Sequence, residues 1–294
     1  MKNNVVNHAI RMPMLKQINK SDPLSMLEIF DRLEVGPLKL EKKKLKAPYR
    51  LFWDKEQDAK DLVYSYEEEV FDPDDNSSLN LANMISAQVA LNYGLFCREI
   101  VFWGNYDPVD QRFLRDMLEN TAREIYVKKI LEPNPFLVGD AARLPVVKLK
   151  TYSRSRLSFP DSSQASQAKW QMWSTDRKKH CILSSGGKDS LLSYCLIDEL
   201  GCETHPIFVN ESGRHWFTAL NAFRYFQQNI PNTGRVWVNS DRIFNWMLRH
   251  MPFIRQDYSN VRSDEYPIRL WTVAVFLFGV LPLLRKRGIG RLLI

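Results

Sequence analysis

The sequence predicts an α/β protein. Residues 181–294 read as a mostly parallel, doubly wound sheet, residues 1–150 as an α+β N-terminal domain, and 151–180 as a linker or lid. Two observations carry this. After His180, short apolar segments alternate with helical patterns, and that alternation implies parallel strands covered by helices on both faces. Before it, aromatic-rich segments at 49–53 and 62–66 read as strands beside two long helical patterns.

Residues 1–48 read as irregular, punctuated by Pro13, Pro23, Pro37 and Pro48. Within them, Leu24, Leu27 and Phe30 predict a short helix over 23–33, capped by Ser21 or Asp22. Strands are expected at 49–53, 62–66 and 69–71. The loop 72–78 then caps a helix over 79–96. A buried strand at 99–103 precedes a helix over 109–130 with Phe113, Leu114, Met117 and Leu118 as its apolar stripe. The aromatics of this half are read as core and pocket wall. The small polar run 161–167 is the linker or lid, and Trp170 and Trp173 predict that part of it packs.

The second half is expected to run strand 181–184, helix 189–200 ended by Gly201, strand 204–210 and helix 213–228. Trp216, Ala219, Leu220, Phe223 and Phe226 share one face of that last helix. A strand at 235–239 follows, then a helix capped by Ser240 or Asp241. After a loop at 252–266, an apolar helix opens at Pro267 and runs to 286, and a strand fills 288–294. A buried parallel strand as the last element predicts an interrupted site that further residues complete.

Bulk properties narrow the function classes. The 294 residues, 45% hydrophobic and 26% charged, describe a globular chain with ample core. A net charge of +7 suits a polyanionic partner, either nucleic acid or a nucleotide-linked or phosphorylated small molecule. No Lys/Arg stripe is present, which disfavours nucleic acid, and Lys42 to Lys44 read as a solvated face. Cys97, Cys181, Cys195 and Cys202 have neither metal nor disulfide spacing. Cys181, Cys195 and Cys202 are expected at core positions of strands and helices, as in a reducing cytosol. The first 20 residues lack the apolar centre of a secretory signal. The longest apolar run, 271–284, has 14 residues and contains Pro282; a membrane span needs about 20, so a core helix is expected.

The chain is organised around residues 180–192, a short apolar strand, a glycine turn and a helix start on an amphipathic pattern. Glycines let the backbone approach a ligand, and the helix start offers unpaired N–H groups that favour an anion. Ser185 and Ser190 add hydroxyls, Lys188 a positive charge, and Asp189 a cap or a metal ligand. The spacing fits neither the Walker loop nor the dinucleotide turn. Ser185-Gly186-Gly187-Lys188-Asp189-Ser190 resembles the SGGxDS signature of the PP-loop ATP pyrophosphatases. That resemblance implies a PP-loop/HUP-like fold and cleavage of ATP between its α and β phosphates.

A second polar cluster follows the strand at 204–210. Glu211 or His215 is the proton-transfer candidate, and Arg214 and Asn210 are candidate substrate binders. A third group holds Arg255, Asp257, Arg262, Asp264, Glu265 and Arg269, and its alternating charge fits either salt bridges or an anion clamp. The runs 209–222, 244–249 and 266–274 resemble the PP-loop half of the UDP-N-acetylmuramoyl-L-alanyl-L-glutamate epimerases (MurL). That resemblance covers about the last third of the chain. It implies that ATP and Mg²⁺ adenylate the α-carboxylate of the terminal L-Glu of UDP-MurNAc-L-Ala-L-Glu, which makes the α-proton removable. Reprotonation from the other face, then hydrolysis of the adenylate, yields D-Glu for peptidoglycan in the cytoplasm. On this reading Lys188 and the loop hold pyrophosphate, Asp189 touches Mg²⁺, and Arg262 and Arg269 join in substrate binding. Two alternatives stay open: another PP-loop enzyme, tRNA-modifying or amide-forming, and a non-catalytic nucleotide-binding fragment.

Overall fold

The structure, a computed structural model, describes residues 12–14, 17–162, 172–211, 213, 215–263, 266–270 and 272–294. A 3-10 turn (Pro23–Leu27) leads into β1 (Phe30–Val35), β2 (Lys39–Glu41), β3 (Lys44–Trp53) and β4 (Glu56–Tyr66). Then come α1 (Asn76–Ala87), a 3-10 stretch (Gln88–Tyr93), β5 (Cys97–Phe102), α2 (Pro108–Ile125) and β6 (Arg156–Ser158). The second half runs β7 (Asp176–Ser184), α3 (Lys188–Glu199), β8 (Glu203–Asn210), α4 (His215–Asn229), β9 (Gly234–Val238), α5 (Ser240–Arg249), α6 (Thr272–Arg287) and β10 (Ile289–Leu293).

Nine of these strands form one path, β10-β7-β8-β9-β4-β3-β1-β5-β6, with β2 paired to β3. The flanks are parallel and the centre is antiparallel, so the sheet is mixed. The two halves meet where β4 pairs antiparallel with β9, Tyr64 opposite Val238. Read from β9, the parallel flank has the order third, second, first, fourth, compatible with a Rossmann-like arrangement whose switch point lies between β7 and β10. Leu191 and Tyr194 of α3 pack with Phe208, Phe223 and Phe226 on one face. Val275, Val280 and Leu283 of α6 join the main core with Ile207, Val236 and Val238 on the other.

Close approach of α6 to the sheet depends on Gly279. A Cβ there would lie 2.8 Å from Cε1 of the buried Tyr64. The Tyr66 hydroxyl donates to the Gly279 carbonyl at 2.8 Å, and the Tyr64 hydroxyl donates to that of Val275 at 3.3 Å. No helix among the described residues is long and apolar enough to cross a membrane.

Several expectations are corrected. Helical spacing at Leu24, Leu27 and Phe30 yields only the 3-10 turn, because Leu33 and Val35 are buried as strand residues of β1. The segment 69–71 is not a strand; Val70 and Phe71 donate their N–H groups to the Lys42 carbonyl. The helix expected to run to 130 ends as α2 at Ile125 and continues as a π turn (Tyr126–Leu131). Part of the expected linker is β6, parallel to β5. Pro267 precedes α6 rather than opening it, since its carbonyl accepts from Asn134 Nδ2 at 2.9 Å. Neither Ser240 nor Asp241 caps α5; Asn239 holds that position, but its side chain bonds the β4 backbone at Asp61 and Val63 rather than the helix. Cys195 is exposed rather than in the core, whereas burial pushes the Cys181 thiol up to about 12. No residue of α3 is fully buried, and Leu192, Leu196 and Leu200 face solvent.

Candidate functional site

The glycine turn lies at the carboxyl end of β7, the first strand of the parallel flank, beside the switch point. Gly186 has φ +75°, a left-handed conformation, and a Cβ there would meet Ala222 Cβ at 3.0 Å and Ala219 Cα at 3.2 Å on α4. Only glycine fits this position without strain. Gly187 is the N-cap of α3 and has no side chain to offer the first-turn N–H groups. Those groups are what an anion at a helix start uses. Asp189 therefore does not cap the helix; it sits exposed in the first turn, next to exposed Lys188.

Inside the turn the serines hold the backbone. Gly186 N–H donates to Ser184 Oγ at 3.2 Å, Gly187 N–H to Ser185 Oγ at 3.4 Å, and Ser190 Oγ to the Gly187 carbonyl at 2.9 Å. At its far end α3 closes on Gly201, φ +70°, whose N–H reaches the Asp198 carbonyl while Cys202 N–H reaches that of Ile197. That is the expected Schellman stop.

One strand over, about 4.8 Å away in the sheet, β8 ends at the buried Asn210 and Glu211 follows. Glu211 opens onto a cavity of about 500 Å³ between the two halves of the molecule. Rings of Tyr93, Phe136, Phe244, Tyr258 and Tyr266 form much of its wall, and Glu211, Asp241 and Arg269 bring charge to it. Ser240 Oγ donates to Glu211 Oε1 at 2.8 Å, and Arg269 Nη1 approaches the same oxygen at 3.5 Å. The side chains of Glu211 and Arg269 are each only 10% exposed. The Arg269 guanidinium lies 3.7 Å from the Tyr266 ring centre and 4.9 Å from that of Phe244, which favours the cation electrostatically.

The segment bearing Arg269 is pinned from the other half. Leu270 N–H donates to Asn92 Oδ1 at 3.0 Å, and Asn134 holds the Pro267 carbonyl. The cavity charges are felt below it. Burial raises the Tyr64 phenol pKa and the Glu211 carboxylate raises it further. Burial also raises that of Tyr93, against the opposing charge of Arg269. Both phenols stay protonated near neutral pH.

The predicted site residues thus fall into two groups at one end of the sheet. Ser185 to Ser190 form the turn, and Glu211 with Arg269 lines the cavity; the turn residues do not line it. Arg262 is exposed on the rim between the cavity residues Val261 and Ser263. Arg255 and Asp257 form a side-on pair at 2.7 and 2.8 Å, so in that part of the third group the salt-bridge reading holds. Ser212, Arg214, Asp264, Glu265, residues 163–171 and the His215 side chain lie outside the described residues.

Sequence reasoning missed Ser240 as a partner of Glu211, having read it as a cap, and missed Asn92; Tyr93 and Phe136 were covered only by the general reading of the first half's aromatics as core and pocket wall, which did not single them out. Their only signal is tertiary. Among the described residues no group of three or more His, Cys, Asp or Glu is arranged to hold a metal ion. Mg²⁺ carried by a nucleotide needs only one or two protein carboxylates, and the exposed Asp189 beside Lys188 has the right chemistry for that. Compared with protein-family models, with curated proteins and with solved structures, the chain matches none.

Proposed function

We propose that this chain is a PP-loop enzyme that uses ATP as a co-substrate to epimerise the terminal L-Glu of UDP-MurNAc-L-Ala-L-Glu, an isomerase of cytoplasmic peptidoglycan synthesis. The observation that carries the reading is the Ser185–Ser190 turn, glycine-capped and beside the switch point of the parallel flank. Nucleotides bind in that position in sheets of this order. Backbone N–H groups of the first turn of α3, with Lys188 and the hydroxyls of Ser185 and Ser190, would hold the pyrophosphate as it leaves. Asp189 would contact Mg²⁺, which supplies charge neutralisation on the phosphates.

The acceptor goes in the neighbouring cavity. Joining the α-carboxylate to AMP as a mixed anhydride, with pyrophosphate leaving, removes its negative charge, so loss of the α-proton gives an enolate rather than a dianion; reprotonation and then hydrolysis of the anhydride would release AMP and the epimerised product. Of the two proton-transfer candidates we favour His215, because Glu211 is engaged by Ser240 and Arg269. Imidazole is also matched to proton transfer near neutral pH.

The test is release of AMP and pyrophosphate with UDP-MurNAc-L-Ala-L-Glu, together with chiral analysis of the glutamate and deuterium uptake at Cα from D₂O. Turnover without deuterium at Cα removes the epimerase. Lys188→Ala and Asp189→Ala should suppress AMP formation yet leave stability within about 0.5 kcal/mol, as both side chains are exposed. AMP release surviving either change overturns the assignment of the turn. ATP binding with no AMP under any condition would instead mark a non-catalytic nucleotide module.

A further inference from the structure

Ser184 is the last residue of β7, only 7% exposed, and it stands one position before the Ser185–Ser190 signature. Across the sheet it pairs with Phe208 of β8. A hydroxyl taken out of water at a strand end is unfavourable unless it is hydrogen-bonded. Its bonds go to the turn. Ser184 Oγ accepts from the Gly186 N–H at 3.2 Å and donates to Ser190 Oγ at 3.2 Å, and Ser190 Oγ donates in turn to the Gly187 carbonyl at 2.9 Å. The Gly187 N–H is held by Ser185 Oγ. Both glycine N–H groups are therefore engaged inside the turn. Those of Lys188, Asp189 and Ser190 have no acceptor among the described residues, as the first turn of a helix requires.

We propose that Ser184 is a positioning residue of this turn, acting through Gly186 and Ser190 and never touching the ligand. By tying the Gly186 N–H it holds the left-handed residue in place, so the N–H groups of residues 188–190 are the ones left for an anion. It also releases Ser190 for binding. An oxygen that already accepts from Ser184 can turn its own proton from the Gly187 carbonyl to a phosphate oxygen and remain hydrogen-bonded. The Gly187 carbonyl then keeps the Leu191 N–H, which donates to it at 3.1 Å. This deepens the nucleotide half of the reading above and rests on it in taking the anion to be the pyrophosphate end of ATP.

The experiment is a calorimetric titration of the full chain with inorganic pyrophosphate and Mg²⁺, run on the parent, Ser184→Ala, Ser184→Thr, Ser190→Ala and the double alanine variant. Ser184→Ala should weaken binding about fivefold, about 1 kcal/mol, while Ser184→Thr, which keeps the hydroxyl, stays within about twofold of the parent. With Ser190→Ala already present, the same Ser184→Ala should weaken binding by no more than about twofold, a coupling that a purely structural role would not produce. Should the alanine variant fail to fold, Ser184→Cys, whose thiol is a weak donor and acceptor, takes its place. Unchanged affinity in Ser184→Ala, an equal loss in Ser184→Thr, or the same loss in both backgrounds overturns the proposal. A parent chain that binds no pyrophosphate overturns the reading of the turn, and the proposal with it. AMP release on the same preparations separates the rest: the Ser184 pattern without AMP removes the epimerase and leaves the positioning role.

Discussion

Replacing Gly186 by alanine is the sharpest perturbation of the turn. Its φ of +75° places a non-glycine residue in the left-handed region, at about 1–2 kcal/mol. The added methyl also meets Ala222 Cβ at 3.0 Å and the Ala219 backbone at 3.2 Å, and neither is the end of a flexible chain. Overpacking of this kind costs about 1–3 kcal/mol, so the total is about 2–5 kcal/mol. Carried by the whole chain, that lowers Tm by roughly 4–10 °C at about 2 °C per kcal/mol for a chain of this size. Carried locally, it opens the turn away from α4 and, on the function proposed above, weakens nucleotide binding. The internal control is Gly187→Ala. Its φ is ordinary and its nearest neighbour is Ser185 Oγ at 3.4 Å, so only the loss of a good N-cap, about 1 kcal/mol or less, applies. Thermal unfolding and equilibrium binding of a non-hydrolysable ATP analogue, measured on both variants, decide it. If Gly186→Ala matches the parent in both, the contact with α4 does not constrain the turn and the reasoning fails.

Three further outcomes are expected. Gly279→Ala should destabilise by about 1–2 kcal/mol in urea unfolding: overpacking against Tyr64, 2.8 Å away, exceeds the roughly 1 kcal/mol that alanine gains in a helix. A stabilised variant would mean that α6 is free to shift. His205 is buried against Glu203 and Arg287; burial holds its pKa below the usual histidine value, and Arg287 adds to this while the Glu203 contact opposes it. The unfolded chain then binds the extra proton, so this contribution is complete above about pH 6.5 and is lost as pH falls through that value. The loss of stability between about pH 8 and about pH 5.5 should be smaller in His205→Asn; an unchanged slope would place the acid sensitivity elsewhere. Leu196→Lys, on the solvent face of α3, should change stability by less than about 0.5 kcal/mol, whereas a cost near 2 kcal/mol would mean that the face is covered.

What the sequence carries legibly is local. Gly186, Gly187 and Gly201 mark the turn and the helix stop because each answers a backbone requirement within a few residues. The β7, β8 and β9 strands were legible for the same reason, as apolar runs between turn signals. β1 was not, since Leu24, Leu27 and Phe30 satisfy a three-residue spacing while Leu33 and Val35 obey the two-residue period of a strand. The three residues of β6 are too few to show any period. The cavity was half legible. Glu211 and Arg269 stand out as charges beside predicted loops, but their meeting spans 58 positions, and the link through Ser240 exists only in three dimensions. A serine before a helix reads as a cap whether or not it is one. The aromatic wall is drawn from residues as distant as Tyr93 and Tyr266, which sequence spacing cannot bring together.

The pairing of β4 with β9 limits how this molecule can be dissected. Cutting it between residues 150 and 180 would bare the β9 backbone along Val236 to Val238, inviting another chain to add there. The same cut would strip the cavity of Tyr93 and Phe136 and release the 266–270 segment from Asn92 and Asn134. The glycine turn, built wholly from residues after 180, could survive such surgery. On the function proposed above, a C-terminal fragment would keep the nucleotide turn while losing the chamber next door, so assays on isolated halves would misreport the competence of the intact chain.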